Sequence, residues 1–343
     1  MKNKIWNVGI LGCGMIARYH ARSLTELPQA NLLGAFSRSR ETREKFCQDF
    51  GISAFSSVEE LLAEPRLDAV CICLPSGLHY EVALACIRGG KHVIVEKPMT
   101  FTADQADELI NAAEMAGVQV SVISQLRYSD AVTQLKHALD EGWFGKLATM
   151  DVYMKYWREP GYYSASNWKG TLKMDGGGAL MNQGIHGVDL LRYLAGPAIS
   201  VQALTATRCH DIEAEDTVAA VLEFENGALG ILQATTSVYP GFNRRLEICG
   251  SEGTAILQED SIVYSAFRDP SRHLLCTESR HDTGSRPDGM DHTLHKKQIG
   301  DFLNALDRGE KPFLDAVEGR KAVEIVEAIY NSANTGKKIY LTK

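Results

Sequence analysis

Gly12-Cys13-Gly14-Met15-Ile16-Ala17 follows the apolar run Val8-Gly9-Ile10-Leu11, and this stretch decides the fold. In a G-x-G-x-x-A pattern the first glycine permits the tight turn, the second lets the backbone approach a pyrophosphate, and the small third residue allows close helix–strand packing. A helix from Met15 to Leu27 would then point its free N–H groups and dipole at the phosphates. The stretch predicts a Rossmann fold whose cofactor contacts include Gly12, Gly14, Met15, Ile16 and Ala17.

The end of the second predicted strand carries information about the cofactor. That strand ends at Phe36, and Ser37-Arg38 follows. NAD-binding folds usually place an acidic residue here, which accepts the ribose 2′-hydroxyl. No carboxylate stands here to repel a 2′-phosphate, and Arg38 could pair with that phosphate or stack on the adenine. Ser37 and Arg38 are expected cofactor contacts, and the choice between NAD and NADP stays open.

Short apolar runs alternate with amphipathic stretches from Gly9 to about Gln125, which is typical of βαβ units and a doubly wound parallel sheet. The predicted strands of this half are Val8–Leu11, Leu32–Phe36, Ala69–Leu74, His92–Val95 and Gln119–Ile123. Helices are predicted at His79–Arg88, before Gly89-Gly90, and at Ala103–Ala116, between a Thr102 cap and Gly117.

Loops that leave these strands at the edge of the glycine loop are expected to reach the ligand. Pro75, Ser76 and His79 should lie along the cofactor, although His79 could equally be only the first residue of its helix. In Val95-Glu96-Lys97-Pro98, the proline restricts the backbone that directs Lys97 from the carboxyl edge of the sheet. We predict cofactor contacts from Glu96, Lys97 and Gln125, and a catalytic role for Lys97.

Long alternating runs replace this pattern after Gly145 and indicate a second domain with an open, mainly antiparallel sheet. Its predicted strands are Leu147–Tyr156, Ser200–Arg208, Thr217–Phe224, Ala228–Val238, Arg244–Cys249 and Thr254–Gln258, and its helices are Gly178–Leu194, Leu294–Leu306 and Ala316–Ser332. Asn226-Gly227 is a hairpin turn. Phe267 to Asp291, rich in charge, Ser, Gly and His, is expected to be irregular.

The predicted fold class is therefore α/β: an N-terminal Rossmann domain, residues 1–125, and an α+β domain, residues 126–343. The alternative that the last helix packs back on the first domain stays open. With helices on one face of the second sheet, the other face needs a partner, which favours a homodimer or homotetramer.

The helix that interrupts the second group of strands holds the other reactive group. Gly176-Gly177-Gly178 leads into it, a run expected to let something approach closely. Asn182 and His186 are four residues apart and share a helical face. Because imidazole titrates near neutral pH, His186 can accept the hydroxyl proton that alcohol oxidation releases.

Composition excludes several classes of protein. The chain has 343 residues, 45% of them apolar, which suffices for two cores, and a formal net charge of −7, which argues against nucleic acid as a partner. No apolar stretch has the roughly 18 residues of a membrane span, and no secretory leader precedes Asn7. The 8 cysteines show no metal spacing, so we expect no metal, reduced thiols and a cytoplasmic enzyme.

Together, the glycine motif, Glu96-Lys97-Pro98 and the segment from the three glycines through Asn182 and His186 to Asp189 resemble the Gfo/Idh/MocA oxidoreductase family over nearly the whole chain. The resemblance implies a sugar, amino-sugar or cyclitol dehydrogenase whose catalytic lysine and histidine are Lys97 and His186. Many members carry an aspartate four residues before the histidine, where this chain has Asn182. We predict a catalytic role for Asn182 beside Lys97 and His186, although an asparagine can orient a hydroxyl but cannot share its proton.

The expected reaction is hydride transfer from a secondary carbinol to nicotinamide C4, with His186 as general base and Lys97 steering the hydroxyl and stabilising alkoxide charge. A dense run of aromatic residues suits the faces and hydroxyls of a pyranose, although about half of these rings could simply pack the sheet edge. The predicted substrate contacts are Lys97, Arg127, Tyr163, Trp168, Lys169, Asn182 and His186.

Two other classes remain open at this point. Some relatives of the family use NAD as a redox relay for glycosidic bond cleavage, so an NAD-dependent glycoside hydrolase that works by oxidation and elimination is one alternative. A non-catalytic dinucleotide-sensing protein is the other. Net oxidation accumulates reduced cofactor, hydrolysis releases aglycone without it, and a sensor does neither.

Overall fold

The computed structural model describes residues 4–278 and 291–341. By their contacts these residues form two compact units. The first comprises the described residues of 1–125 and 291–320, and the second those of 126–290 and 321–343.

Each unit contains both helices and strands. The strands are β1 Trp6–Leu11, β2 Ala30–Phe36, β3 Ser53–Ala54, β4 Ala69–Ile72, β5 His92–Val95, β6 Val120–Val122, β7 Leu147–Lys155, β8 Ala198–Ala206, β9 Thr217–Phe224, β10 Leu229–Thr235, β11 Arg245–Gly250, β12 Gly253–Gln258, β13 Ser261–Phe267 and β14 Ile339–Tyr340. The α-helices are α1 Met15–Thr25, α2 Arg40–Phe50, α3 Val58–Leu62, α4 His79–Arg88, α5 Ala103–Ala116, α6 Asp130–Asp140, α7 Pro160–Ser164, α8 Ile185–Ala195, α9 Thr293–Arg308 and α10 Ala316–Thr335.

The first unit is built on a parallel sheet with the order β3-β2-β1-β4-β5-β6. Alternate strand residues bury against opposite faces: Val8 and Ile10 join a core with α1 and α9, whereas Val70 and Ile72 join a core with α4 and α5. Apolar cores on both faces make the sheet doubly wound, which confirms the Rossmann prediction.

Local sequence signals located some helices well and others poorly. Helices α4 and α5 have the predicted bounds, and the Thr102 hydroxyl accepts from the Gln105 amide as the cap of α5. Helix α2 was not predicted because, in this highly charged segment, only Phe46 and Cys47 are buried. The short α3, the two-residue β3, α6, α7, β13 and β14 were also missed.

The second unit contains an eight-stranded sheet with the order β13-β12-β11-β7-β10-β9-β8-β14. Neighbouring strands of this sheet pair antiparallel, except that β7 and β10 pair parallel. The prediction of a mainly antiparallel sheet is therefore confirmed. Asn226-Gly227 forms the hairpin turn between β9 and β10, where Gly227 has a φ of 86°. Buried and exposed residues alternate along β8, β9 and β10, so one face is covered and the other is open.

Helix α9 belongs to the first unit, although the chain reaches it only after the second sheet. Its residues Phe302 and Leu303 are buried in the core that contains α1. The division between the units falls inside α10, after Arg320. The predicted division keeps 126–343 together, and its open alternative returns the last helix, α10, to the first domain. The structure instead returns α9 and only the first five residues of α10. Apolar periodicity shows that a helix face is buried but not which core it joins.

The stretch Phe267 to Asp291, expected to be irregular, contains no helix or strand from residue 268 to 278, and residues 279–290 lie outside the described residues. Within the described ranges, no helix combines the length and the hydropathy needed to cross a membrane.

Candidate active site

The glycine loop places two glycines in contrasting surroundings. Gly12 has a φ of +100°, and a Cβ there would lie 2.3 Å from the Cys73 carbonyl oxygen, so strand packing requires this glycine. A Cβ on Gly14 would meet no protein atom within 4 Å. Gly14 precedes α1 with no side-chain cap, and the first turn of α1 carries no acidic residue. The uncapped helix start and the open space above Gly14 fit a bound pyrophosphate.

Two arginines lie near the end of β2: Arg38, which follows the strand, and Arg43 in α2. Ser37 is half-buried and Arg38 is exposed. The Nη1 atom of Arg43, in α2, donates to the Ser37 carbonyl at 2.9 Å, while its Nε is buried without a hydrogen-bond partner. Sequence reasoning missed Arg43 because α2 itself was not predicted.

The loop after β4 uses His79 inside the protein. Ser76–Leu78 forms a 3₁₀ turn, and the His79 ring is buried with Nδ1 at 2.6 Å from the Pro98 carbonyl and Nε2 at 2.8 Å from the Leu74 carbonyl. Each nitrogen therefore faces a backbone oxygen of one of the two loops. Burial lowers the pKa of His79, and a neutral imidazole has one N–H, so the ring donates to one of these oxygens. This geometry favours the structural alternative for His79 over direct cofactor contact.

Glu96, at the end of β5, is a buried carboxylate between two histidines. Its Oε1 lies 2.9 Å from Nε2 of His20 and 3.6 Å from Nε2 of His295. Burial alone would raise the pKa of Glu96, but the two imidazoles outweigh it and hold that pKa well below its usual range. Burial lowers the pKa of His20, so we assign a neutral His20 that donates Nε2–H to an ionised Glu96. This role is internal, whereas the sequence predicted that Glu96 contacts the cofactor.

The same three side chains hold two imidazole nitrogens and a carboxylate oxygen within 4.8 Å of one another, which is a possible metal-ligand set. Metal-bound imidazoles nearly always donate their second ring N–H to an acceptor. Here Nδ1 of His20 and both ring nitrogens of His295 are buried without a hydrogen-bond partner. The missing acceptors argue against a metal centre, and the hydrogen bond that the cluster does contain joins His20 to Glu96.

Lys97 lies just after β5 and Gln125 just after β6, which are neighbouring strands of the parallel sheet. Lys97 is the one partly exposed residue in the otherwise buried run 93–100, all of which the structure describes. Gln125 is buried, and its Oε1 has no hydrogen-bond partner in the protein. A buried amide oxygen without a donor suits a ligand that brings one. Gln125 and the glycine loop thus both fit a dinucleotide.

In the second unit, the glycines before α8 make room for protein atoms. A Cβ on Gly177 would lie 2.0 Å from the Tyr330 hydroxyl, and one on Gly178 would lie 1.7 Å from the Glu215 carbonyl oxygen. The Glu215 carboxylate accepts from the Gly178 and Leu180 amides. The close approach expected from the sequence is therefore internal packing.

A π-helix, Ala179–Gly184, links these glycines to α8 and carries Asn182. Asn182 and His186 are the two partly exposed residues within 177–191, all of which the structure describes. Apolar and glycine neighbours bury the rest of the segment on the sheet, where a Cβ on Gly187 would lie 2.8 Å from the Met154 sulfur. Asn182 and His186 are thus the two accessible positions of this segment. That they share one face stays a prediction from their four-residue spacing.

Asp175, a residue that sequence reasoning did not single out, lies beside Asn182. Nδ2 of Asn182 donates to Oδ1 of Asp175 at 2.8 Å, and Oδ2 of Asp175 accepts from the Gly170 amide at 2.9 Å. Its position directly before the three glycines was the available signal.

The aromatic segment divides into buried and accessible side chains. Tyr163 is buried, with its hydroxyl 2.9 Å from Oγ1 of Thr236, and burial raises its pKa. Tyr163 therefore fits the packing alternative better than substrate contact. Trp168 and Lys169 are half-buried, and Nζ of Lys169 lies 3.7 Å from the centre of the Tyr162 ring.

Arg127 forms a buried ion pair rather than a group open to solvent. Its Nε and Nη2 donate to the two carboxylate oxygens of Asp189 at 3.0 and 2.6 Å, and its guanidinium lies 4.5 Å from the centre of the Tyr193 ring. The bidentate pairing accounts for both residues structurally. This geometry argues against the predicted substrate contact by Arg127.

Comparison with known proteins agrees with this architecture. A family model described as an oxidoreductase family with an NAD-binding Rossmann fold matches residues 6–124, and a GFO/IDH/MocA C-terminal domain model matches residues 132–256. The WlbA dehydrogenase from Bordetella pertussis, solved in complex with NADH and UDP-GlcNAcA, is 31% identical with a TM-score of 0.90, covering 100% of this chain and 99% of that one.

Two curated relatives extend the comparison to named inositol dehydrogenases. Myo-inositol 2-dehydrogenase of Thermotoga maritima is 26% identical over 97% of this chain and 98% of its own length. The NADP(+)-linked scyllo-inositol 2-dehydrogenase IolW of Bacillus subtilis is 29% identical over 97% of this chain and 95% of its own length.

The two loop glycines provide a matched test of the cofactor cradle. Gly14→Ala should leave the free energy of unfolding within about 1 kcal/mol of wild type, because its Cβ meets no protein atom, yet weaken NAD(H) binding about tenfold or more. Gly12→Ala should instead destabilise the fold by about 3 kcal/mol or more, because φ is positive and the Cys73 carbonyl is in the way. Denaturant unfolding and fluorescence titration measure the two quantities. Normal cofactor affinity in Gly14→Ala would mean that no ligand occupies the space above that residue.

Proposed function

The chain belongs to the GFO/IDH/MocA oxidoreductase family, and from this we propose that it transfers hydride between a secondary hydroxyl of a sugar, amino sugar or cyclitol and NAD or NADP. The family relationship identifies the protein as an NAD(P)-dependent dehydrogenase that acts on CH–OH groups. The substrate class is the part that we propose.

The proposal rests on one observation: each reactive side chain is partly exposed, while the residues on either side of it in the sequence are buried. Lys97 is partly exposed among buried residues at a strand end, and Asn182 and His186 are the partly exposed positions of a buried segment. Burial of the neighbouring residues restricts the backbone from which each side chain projects. Such preorganisation is what positioned acid–base groups require.

In the proposed reaction, an imidazole nitrogen of His186 accepts the hydroxyl proton while the carbinol carbon gives up its hydrogen with both bonding electrons. A bound nicotinamide cofactor would supply the acceptor for that hydride. The Lys97 ammonium orients the hydroxyl and stabilises the negative charge that develops on its oxygen. Asn182 orients the substrate without taking its proton.

We assign the cofactor and substrate contacts as follows. The first unit holds the cofactor through Gly12, Gly14, Met15, Ile16, Ala17, Ser37, Arg38, Pro75, Ser76 and Gln125, and it contributes Lys97 to the substrate hydroxyl. The second unit contributes Trp168, Lys169, Asn182 and His186 to the substrate. His79 and Glu96 act by fixing the loops that carry these groups, as their internal hydrogen bonds support. The free state of all eight cysteines supports a reducing, cytoplasmic location.

We also propose a homodimer, or a homotetramer built from it, through the open face of the second sheet. Leu204, Val221, Leu229 and Ile231, on three adjacent strands, are 74%, 52%, 50% and 42% exposed. An apolar patch that spans several strands is typical of a subunit interface.

Two substitutions test the chemistry. Lys97→Met should lower turnover about a hundredfold or more and leave cofactor affinity within about threefold, the scale of a positioned acid–base or electrostatic group. His186→Ala should lose rate and flatten the acidic limb of the pH profile for oxidation, because only neutral imidazole accepts the proton.

Steady-state kinetics across pH, with cofactor titration as the control, distinguishes the outcomes. Near-normal turnover in Lys97→Met would remove Lys97 from the chemistry. A His186→Ala protein that keeps both the rate and the acidic limb would place the base elsewhere.

Cofactor choice is tested at the end of β2. Wild-type protein should bind NADP within about one order of magnitude of NAD, because the 2′-phosphate meets Arg38 rather than a carboxylate. Ser37→Asp should weaken NADP by about 1–3 kcal/mol through like-charge repulsion, with NAD unchanged or tighter. Ser37→Asn is the uncharged control, and fluorescence titration measures all three proteins. Rejection of NADP by the wild type would contradict the assignment of Arg38.

The oligomer is tested by a charge on the open sheet face. Val221→Lys should shift the protein from dimer or tetramer to monomer, because a lysine cannot be buried without a partner. Met115→Lys, at a 91% exposed position on α5, is the matched control. Light scattering after gel filtration gives the masses. An unchanged oligomer in Val221→Lys, or a monomeric wild type, would exclude this face as the interface.

A further inference from the structure

The hydrogen bond between Asn182 and Asp175 fixes which way the asparagine faces. Asp175 is 1% exposed, and its Oδ1 accepts a hydrogen bond from Nδ2 of Asn182 at 2.8 Å. Of the two polar atoms of the amide only the nitrogen can donate, and it is the atom that donates to Asp175, so the amide nitrogen faces Asp175. The amide oxygen of Asn182 therefore faces away from Asp175.

We propose that Asp175 is a positioning residue, which holds the Asn182 amide so that its oxygen accepts a hydrogen bond from a substrate hydroxyl. The inference rests on the proposed function and adds a requirement to it: the substrate group that meets Asn182 is a hydrogen-bond donor. An ether or carbonyl oxygen cannot replace that hydroxyl without leaving two acceptors face to face.

The pair also accounts for the asparagine at this position. Many family members resembling this chain carry an aspartate where Asn182 stands. In this protein the buried Asp175 carries the negative charge, and the neutral amide of Asn182 lies between that carboxylate and the proposed substrate hydroxyl. A carboxylate at both positions would bring two like charges to hydrogen-bonding distance, and one of them would have to take a proton.

Asp175 needs both of its oxygens. Oδ2 accepts from the Gly170 amide at 2.9 Å, while Oδ1 accepts from Asn182. In the single variant Asp175→Asn, one side-chain oxygen replaces the two that accept from Gly170 and Asn182. The new NH₂ group therefore either meets one of these donors or makes the Asn182 amide turn its oxygen toward position 175. In the double variant Asp175→Asn/Asn182→Asp, however, the amide at position 175 can accept from Gly170 and donate to the carboxylate at position 182. The exchange of the two residues restores a complementary pair.

The kinetic arm of the test uses whichever of myo-inositol, scyllo-inositol, levoglucosan and UDP-GlcNAcA the wild type oxidises. Asp175→Asn and Asn182→Asp should each lower kcat/KM between about tenfold and a hundredfold, the scale of a misplaced contact. The double variant Asp175→Asn/Asn182→Asp should recover to within about fivefold of wild type. Asn182→Asp should also show an added titration in its pH profile that the double variant lacks.

A second cycle separates positioning from a structural role. If Asp175 acts through Asn182, Asp175→Asn should change kcat/KM by less than about twofold in an Asn182→Ala background. An equal loss in both backgrounds would overturn the proposal, because Asp175 would then serve only the Gly170 segment. If Asp175→Asn does not fold, Asn182→Asp and the double variant still decide the question. A double variant that is no more active than Asn182→Asp would overturn the proposal.

One arm needs no turnover, so it distinguishes failure of this inference from failure of the proposed function. In protein labelled with ¹⁵N-asparagine, the side-chain amide signal of Asn182 is assigned by its absence from Asn182→Ala. Its protons should exchange with solvent about tenfold or more slowly in the wild type than in Asp175→Asn. Equal exchange rates would show that Asp175 does not hold the amide.

Discussion

A buried carboxylate is the constraint on which the first unit depends. Glu96 ends β5 inside an apolar core, where an unpaired charge would be costly, and it is stabilised by His20 from α1 and His295 from α9. The cluster therefore ties the helix that begins at the glycine loop, the strand that leads to Lys97 and the returning helix to one point. Because the pKa of Glu96 is depressed, its stabilising contribution is present above the unfolded-state pKa and is lost as pH falls through the folded value.

In the second unit, close packing fixes the segment that carries Asn182 and His186. Gly177 and Gly178 admit the Tyr330 hydroxyl and the Glu215 backbone, and the Glu215 carboxylate accepts the amides that begin the π-helix. Since the other residues of the π-helix and of the first turn of α8 are buried, Asn182 and His186 are the two partly exposed positions there. Rigid, buried supports with one or two accessible polar side chains are typical of sites that must hold a reacting group in a fixed orientation.

Sequence reasoning succeeded where the signal was local. The glycine loop, the caps of α5 and the Asn226-Gly227 turn all depend on residues a few positions apart. It failed where the partner is distant: His295, which joins Glu96, and Gln298, which binds the end of β6, lie on a helix about which periodicity says only that one face is buried. Arg127 and Tyr163 looked available as isolated polar residues, but Asp189 and Thr236 already occupy their polar atoms.

The central claim, that a hydride leaves a carbinol carbon of the substrate, is tested most directly by following a deuterium label. The protein is incubated with NAD or NADP and with sugars and cyclitols deuterated at their carbinol carbons, beginning with myo-inositol, and the cofactor is examined by mass spectrometry and NMR. The account predicts that reduced cofactor accumulates with one deuterium at nicotinamide C4. Reduced cofactor without the label, or cleavage of a glycosidic substrate with no accumulation of reduced cofactor, would contradict it.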